Sequence, residues 1–127
     1  MLSLVKKIVK LLPAGLRKEL PAEIKLVEIT ATESRRLNKI YRGKNRPANV
    51  LSFYYNRDYG EILLCSEVIK KEEKLSGNSY NYQFTWMVLH GILHLAGMHH
   101  EKSAASAIRT AKLEKNILFK ISGSLKS

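Results

Sequence analysis

The sequence predicts an α+β fold: a small mixed β-sheet of three to four strands covered by helices, with a metal site at the end of a central buried helix. Three observations point there. Short β-branched stretches with strand character are confined to residues 23–65, helical periodicity covers both flanks, and all four histidines fall between His90 and His100 at the end of an apolar helix. The 127 residues read as one domain, 1–127, long enough to bury about two thirds of its unfolded surface. No internal repeat or low-complexity tract interrupts it.

Residues 3–12 place Leu4, Val5, Ile8, Val9, Leu11 and Leu12 along one side and Lys6, Lys7 and Lys10 along the other. That period predicts an amphipathic helix, ended by Pro13 and Gly15, with a charged connector over 16–22. A basic helix of this kind suits a membrane surface or RNA; packing on the domain with its lysines in water is the simpler reading. Glu23–Thr30 alternates Ile24 and Leu26 with Lys25, Val27 and Ile29, which predicts a strand with at least one well-covered face. Thr30 and Glu33 have the spacing of a capping box and open a helix to about Tyr41, closed by Gly43. Asn49–Tyr54 is the second strand and Glu61–Cys65 the third. The short loop between them, with Asn56, Asp58 and Gly60, predicts an antiparallel hairpin. Helices follow at Glu67 to about Leu75, at about Tyr82 to Ala96, and at Lys102 to about Ile121. Gly77-Asn78-Ser79 separates the first two, and the tail from Gly123 to Ser127 is expected to fray.

The histidine run reads H-G-I-L-H-L-A-G-M-H-H. On a helix, His90 and His94 lie one turn apart on the same face and can share an ion. Gly97 tolerates the left-handed backbone that ends a helix, so the chain can turn and bring His100 round as a third ligand. Three protein nitrogens with a fourth position left open is the arrangement of a catalytic zinc site. A lone histidine in an apolar helix is ordinarily a hydrogen-bonded core residue, but three in register before a helix-stopping glycine favour metal. The spacing also matches a long zinc-peptidase motif, except that the general-base glutamate after the first histidine is Gly91 here. A peptidase would lack its base.

Charge narrows the substrate. Twenty-two Lys+Arg against 11 Asp+Glu leave a formal +11, a field that attracts polyanions and, beside a catalytic-type metal, favours phosphodiester hydrolysis. The opening residues, broken by lysines, lack the apolar centre of a signal peptide, and no apolar run approaches the ~20 residues of a membrane span. Cys65 is the single cysteine, which excludes an internal disulfide and fits a reducing, cytoplasmic setting without membrane partners.

A loop between the second helix and second strand carries Arg42, Lys44 and Arg46 around Gly43. Arginine's planar fork suits phosphate, although composition alone reads this as an ordinary solvated basic loop. Leu37-Asn38-x-x-Tyr41-Arg42-Gly43-Lys44, followed by Asn49-Val50-Leu51-Ser52-Phe53, resembles the first signature of the YbeY family. Those proteins are bacterial metal-dependent, single-strand-specific endoribonucleases of ribosomal RNA maturation. Gly60-Glu61-Ile62 is similar to the family's next strand, and H-G-x-L-H-L-x-G-x-x-H from His90 to His100 to its hallmark. The resemblance spans about residues 24 to 118. It implies one zinc ion on His90, His94 and His100, a functional role for Arg42, and a precursor of ribosomal RNA as substrate, with ribosomal subunits or proteins as partners. Three departures stand out. His99 and Asn49 occupy positions where the family carries aspartate, and the N-terminus is short, leaving a first edge strand absent or replaced by residues 2 to 5.

A tris-histidine zinc can lower the pKa of bound water to about 7 and polarise a phosphoryl oxygen. Arg42 is the expected stabiliser of transition-state charge, with Lys44 and Arg46 holding flanking phosphates. Tyr41, Phe53 and Tyr54 are candidates to stack unpaired bases, though Phe53 suits the core better. With Gly91 in place of glutamate, no general base is identifiable. Two other readings stand beside the nuclease: an RNA-binding ribosome-assembly factor with a structural zinc, and a zinc hydrolase or deaminase of another substrate. The H-x-E and P-C-x-x-C elements of zinc deaminases are missing.

Overall fold

The computed structural model describes residues 2–98 and 103–125. In chain order its elements are α1 (Leu2–Leu11), α2 (Ala14–Arg17), β1 (Glu23–Glu28), α3 (Ala31–Arg42), β2 (Val50–Tyr54), β3 (Tyr59–Leu64), α4 (Ser66–Ser76), α5 (Tyr80–Leu95) and α6 (Ala104–Leu125). The three strands form one mixed sheet in the order β1-β3-β2, an α+β fold. β1 runs parallel to β3, with Leu26 opposite Ile62, and β2 runs antiparallel to β3, with Ser52 opposite Ile62.

The core is built on α5. Val88, Leu89, Ile92 and Leu93 expose no surface, and the helix packs against β2, β3, α1, α4 and α6. Each such burial stabilises by about 1.5–3 kcal/mol, so these contacts outweigh any single cap. Ser79 Oγ accepts the Tyr82 N–H at 3.1 Å, which starts α5 at Tyr80, two residues before the apolar pattern begins. At the far end, Gly97 has φ 92°. The Gly97 N–H bonds to His94 O at 3.0 Å and the Met98 N–H to Leu93 O at 2.9 Å, a Schellman stop.

α1 meets the same core through Val5 and Ile8, joined by Leu12 just past its end, so the amphipathic helix packs on the domain. Residues 2 to 5 are helical and supply no edge strand. The sequence expectations need adjusting at three places. A single turn, α2, stands where only a connector was expected: Pro13 O accepts both the Leu16 and the Arg17 N–H at 3.0 Å. β1 has no well-covered face; Ile24, Leu26 and Val27 are half-buried, because β1 is the sheet's edge and α1 only partly overlies it. α6 continues to Leu125 instead of fraying at Gly123, carried by Ile117, Leu118 and Ile121 in the core.

β2 is the opposite edge of the sheet. One face of it meets α5, and the C-terminus of α3 reaches the other through Tyr41, whose ring packs edge-on against Phe53 at 5.2 Å. Helix ends from two layers therefore meet along one open strand edge.

Candidate active site

His90 and His94 lie on the last turns of α5, their ring centroids 4.6 Å apart and tilted by 43°. That is the local geometry of i and i+4, and burial of the helix on its other sides leaves this face for the pair. His90 Nδ1 lies 2.7 Å from Glu114 Oε2, a carboxylate from α6 that is 8% exposed. Glu114 Oε1 also accepts the Trp86 indole N–H at 3.4 Å. A carboxylate on Nδ1 selects the tautomer with the proton there and leaves Nε2 as the lone-pair nitrogen.

Arg42 arrives on the last turn of α3. Thr30 Oγ1 accepts the Glu33 N–H at 3.1 Å to start that helix, and Glu33 pairs with Arg36. Gly43, with φ 69°, ends it as expected. Two buried polar residues of α3 then tie down the following loop. Ser34 Oγ donates to Ala48 O at 2.7 Å and accepts the Ala48 N–H at 2.8 Å, while Asn38 Nδ2 donates to Arg46 O at 2.8 Å. The basic loop is thus anchored at its backbone, with Lys44 and Arg46 exposed.

These pieces enclose a cavity of about 320 Å³ lined by Tyr41, Arg42, Asn49 to Phe53, His90 and His94. The structure brings together Arg42, His90 and His94. Lys44 and Arg46 lie on the loop outside the lining. His100 and its neighbour His99 lie outside the described residues. Among the described residues no three His, Cys, Asp or Glu side chains group around a common centre. The donor chemistry that is described fits zinc: two imidazoles one turn apart, one of them set by a carboxylate.

Gly91 settles the peptidase comparison. Its position faces the sheet and not the cavity: a Cβ there would stand 2.7 Å from Ile62 Cγ2 and 3.0 Å from Ser52 Oγ. Ser52 Oγ donates to Gly91 O at 3.0 Å, closing helix onto strand. A glutamate at 91 has no space there.

Two further residues escaped sequence reasoning. Glu114 lies 24 positions from His90 on another helix, and no local spacing marks it. Glu72 of α4 accepts from Asn49 Nδ2 at 3.0 and 3.2 Å. An aspartate at 49 would set two carboxylates face to face, so the amide at this position matches its partner.

A family model described as Endoribonuclease YbeY matches residues 1–122. The Endoribonuclease YbeY of Bdellovibrio bacteriovorus is 40% identical over 88 residues, covering 68% of this chain and 59% of that protein. The one from Chromobacterium violaceum is 35% identical over 100 residues, covering 72% of this chain and 60% of that protein. The chain therefore spans about 60% of the length of these curated relatives. The solution structure of TM1509 from Thermotoga maritima superposes with a TM-score of 0.63 at 25% identity, covering 98% of this chain and 85% of that one. Among the described residues no helix is long and apolar enough to cross a membrane. The match over nearly the whole chain, together with these relatives, places the protein in the endoribonuclease YbeY family.

Proposed function

We propose that the chain is a zinc-dependent endoribonuclease that cuts single-stranded RNA during maturation of ribosomal RNA in the cytoplasm. One observation carries the proposal: a close, tilted imidazole pair and an arginine, from different layers of the fold, line a single cavity at an open strand edge. Family membership and the +11 formal charge agree with an RNA substrate.

His90 and His94 would hold the zinc ion, with His100 as the third ligand. A zinc ion bound there would supply Lewis acidity toward a phosphoryl oxygen. The remaining work belongs to the chain. Glu114 holds the His90 proton at Nδ1 and sets the ring's direction. The planar fork of the Arg42 guanidinium can engage the non-bridging oxygens as charge builds on them. Lys44 and Arg46, on an anchored loop, would hold phosphates on either side without regard to sequence. Among the described residues no carboxylate lines the cavity, so the proton of the attacking group, whether water or the RNA's own 2′-hydroxyl, would pass to solvent.

Replacement of His94 by alanine tests the reading. Metal content and cleavage of a single-stranded RNA should disappear together in a protein that still folds. Full cleavage by a metal-free variant would overturn it.

A further inference from the structure

We propose that the aromatic rings beside this cavity form a two-step stacking track for consecutive unpaired bases of an RNA strand. The inference rests on the endoribonuclease reading and adds a substrate subsite to it. The first step is Tyr41 with Phe53, which line the cavity with Arg42 and the histidines and meet edge-to-face at 5.2 Å. The second is Tyr55 with Tyr59, stacked at 5.7 Å with 27° between their planes. Phe53 and Tyr55 are two positions apart on an extended chain, so they share a sheet face about 6.6 Å from each other. One extended nucleotide spans a similar length.

Each step pairs a half-buried ring, Phe53 or Tyr59, with one displayed to solvent. Tyr41 is 65% exposed and Tyr55 58% exposed. The second pair is nevertheless held in place: Tyr55 and Tyr59 each donate a hydroxyl hydrogen bond to Glu61, at 2.8 and 2.7 Å. Glu61 sits directly across from Phe53 in the β2–β3 register, so one carboxylate links the two steps. A tethered ring with exposed surface contributes little to a core, but it has already lost the rotamer freedom that stacking on a base would otherwise cost. Cations occur along the row: Arg42 at the cavity, Lys25 opposite Glu61 on β1, and Arg57 in the turn before β3. π-faces in line with separated cations fit a polyanion with unstacked bases better than an apolar peptide. Tyr54 does not belong to the row, since strand alternation sends it to the other face, across from Gly60.

The test is equilibrium binding of the full chain, as purified, to a labelled 2′-O-methyl single strand, followed by fluorescence anisotropy with strand integrity checked on a gel. A strand of equal length carrying abasic sugars is the comparison. The wild-type protein should prefer the base-bearing strand by about tenfold or more. Tyr41→Leu and Tyr55→Leu should each erase several-fold of that preference. Tyr55→Phe, which loses the Glu61 bond but keeps a ring, should retain most of it. Equal binding of both strands by the wild type would overturn the track, whatever the variants do, as would folded leucine variants with wild-type preference. A protein that prefers bases yet cuts no RNA would refute the nuclease reading and leave the track; one that cuts RNA but binds both strands alike would do the reverse.

Discussion

Arg42 and Glu114 stand beside the same histidine pair, one across the cavity and one behind His90, and the roles proposed for them can be told apart by measurement. Arg42 lines the cavity, where charge would develop on a substrate, whereas Glu114 contacts His90 through Nδ1 and lies among the helices. Arg42→Ala should therefore keep the metal and lower kcat by about 10²–10³-fold, the usual loss for one donor aimed at a transition-state oxygen. Loss of metal in that variant would make the arginine structural. Glu114→Ala should act in the opposite order. A carboxylate behind a ligating imidazole supports metal affinity by about 10–100-fold, so a zinc-competition titration should weaken by that much. Glu114→Gln, whose carbonyl can still accept the Nδ1 proton, should recover part of the loss. A titration unchanged by either substitution would show that Glu114 serves packing with Trp86 instead. Neither experiment depends on the other, because each reads a quantity that the second leaves alone.

Among the elements, the contact of α5 with the sheet sets where the histidines stand, and Gly91 controls its distance. A methyl group at 91 meets Ile62 Cγ2 at 2.7 Å, and Ile62 is wholly buried with nowhere to retreat. Overpacking of that kind costs about 1–3 kcal/mol, while alanine returns about 1 kcal/mol of helix propensity. Gly91→Ala should thus be destabilising on balance, by up to about 2 kcal/mol in chemical denaturation; a variant as stable as the wild type would mean that the sheet gives way. The β2–β3 hairpin carries a pH-dependent element. The hydrogen bond to Glu61 pushes the Tyr59 hydroxyl up to about 12 from its ordinary value of 10. A raised pKa means that the folded form holds this proton more tightly than the unfolded one, so the tether is complete below about pH 10 and is lost as pH rises through about 12. Tyr55, bonded to the same carboxylate, and the partly buried Tyr80 are raised as well, so an ultraviolet phenolate titration should show several late tyrosines, the last of them near 12 and absent in Tyr59→Phe. What could be read from sequence follows the same division between local and distant. The His90–His94 pair, the Gly97 stop and the antiparallel hairpin each depend on a few neighbouring residues, and periodicity or turn length reveals them. The parallel pairing of β1 with β3, the edge position that leaves Ile24 half-exposed, and the approach of Glu114 to His90 depend on contacts between distant segments. Nothing in Ala111-Lys112-Leu113-Glu114-Lys115 distinguishes that glutamate from a solvated one. The collision at Gly91 is equally hidden, because glycine's reason for being there sits on another element.

For the molecule as a whole, the question is whether the proposed ion serves the fold or the chemistry. The apolar core closes without the histidines: Ile8, Ile62, Ile69, Leu89, Ile92 and Leu93 have no exposed surface and come from four elements. Such a core does not need an ion to assemble, in contrast to small domains whose metal is their core. Chelation should therefore leave the far-ultraviolet circular dichroism and the cooperative unfolding in place while abolishing cleavage. Collapse of the fold on chelation would support the assembly factor with a structural zinc. RNA binding should survive chelation as well, because it draws on a field of +11 and not on the ion. That binding should weaken linearly in a plot of log affinity against log salt, with a slope of about −0.7 for each phosphate neutralised on a single strand. Removing Lys44 and Arg46 together should make that slope shallower by about 1.4 and lower affinity alike for every sequence tested. The stacking rings make the opposite prediction, since Tyr55→Leu should alter the preference for bases and leave the salt slope alone. A double Lys44/Arg46 variant with an unchanged slope would remove those two side chains from the phosphate path, and the charge that draws the strand in would then have to lie on other surfaces of the protein.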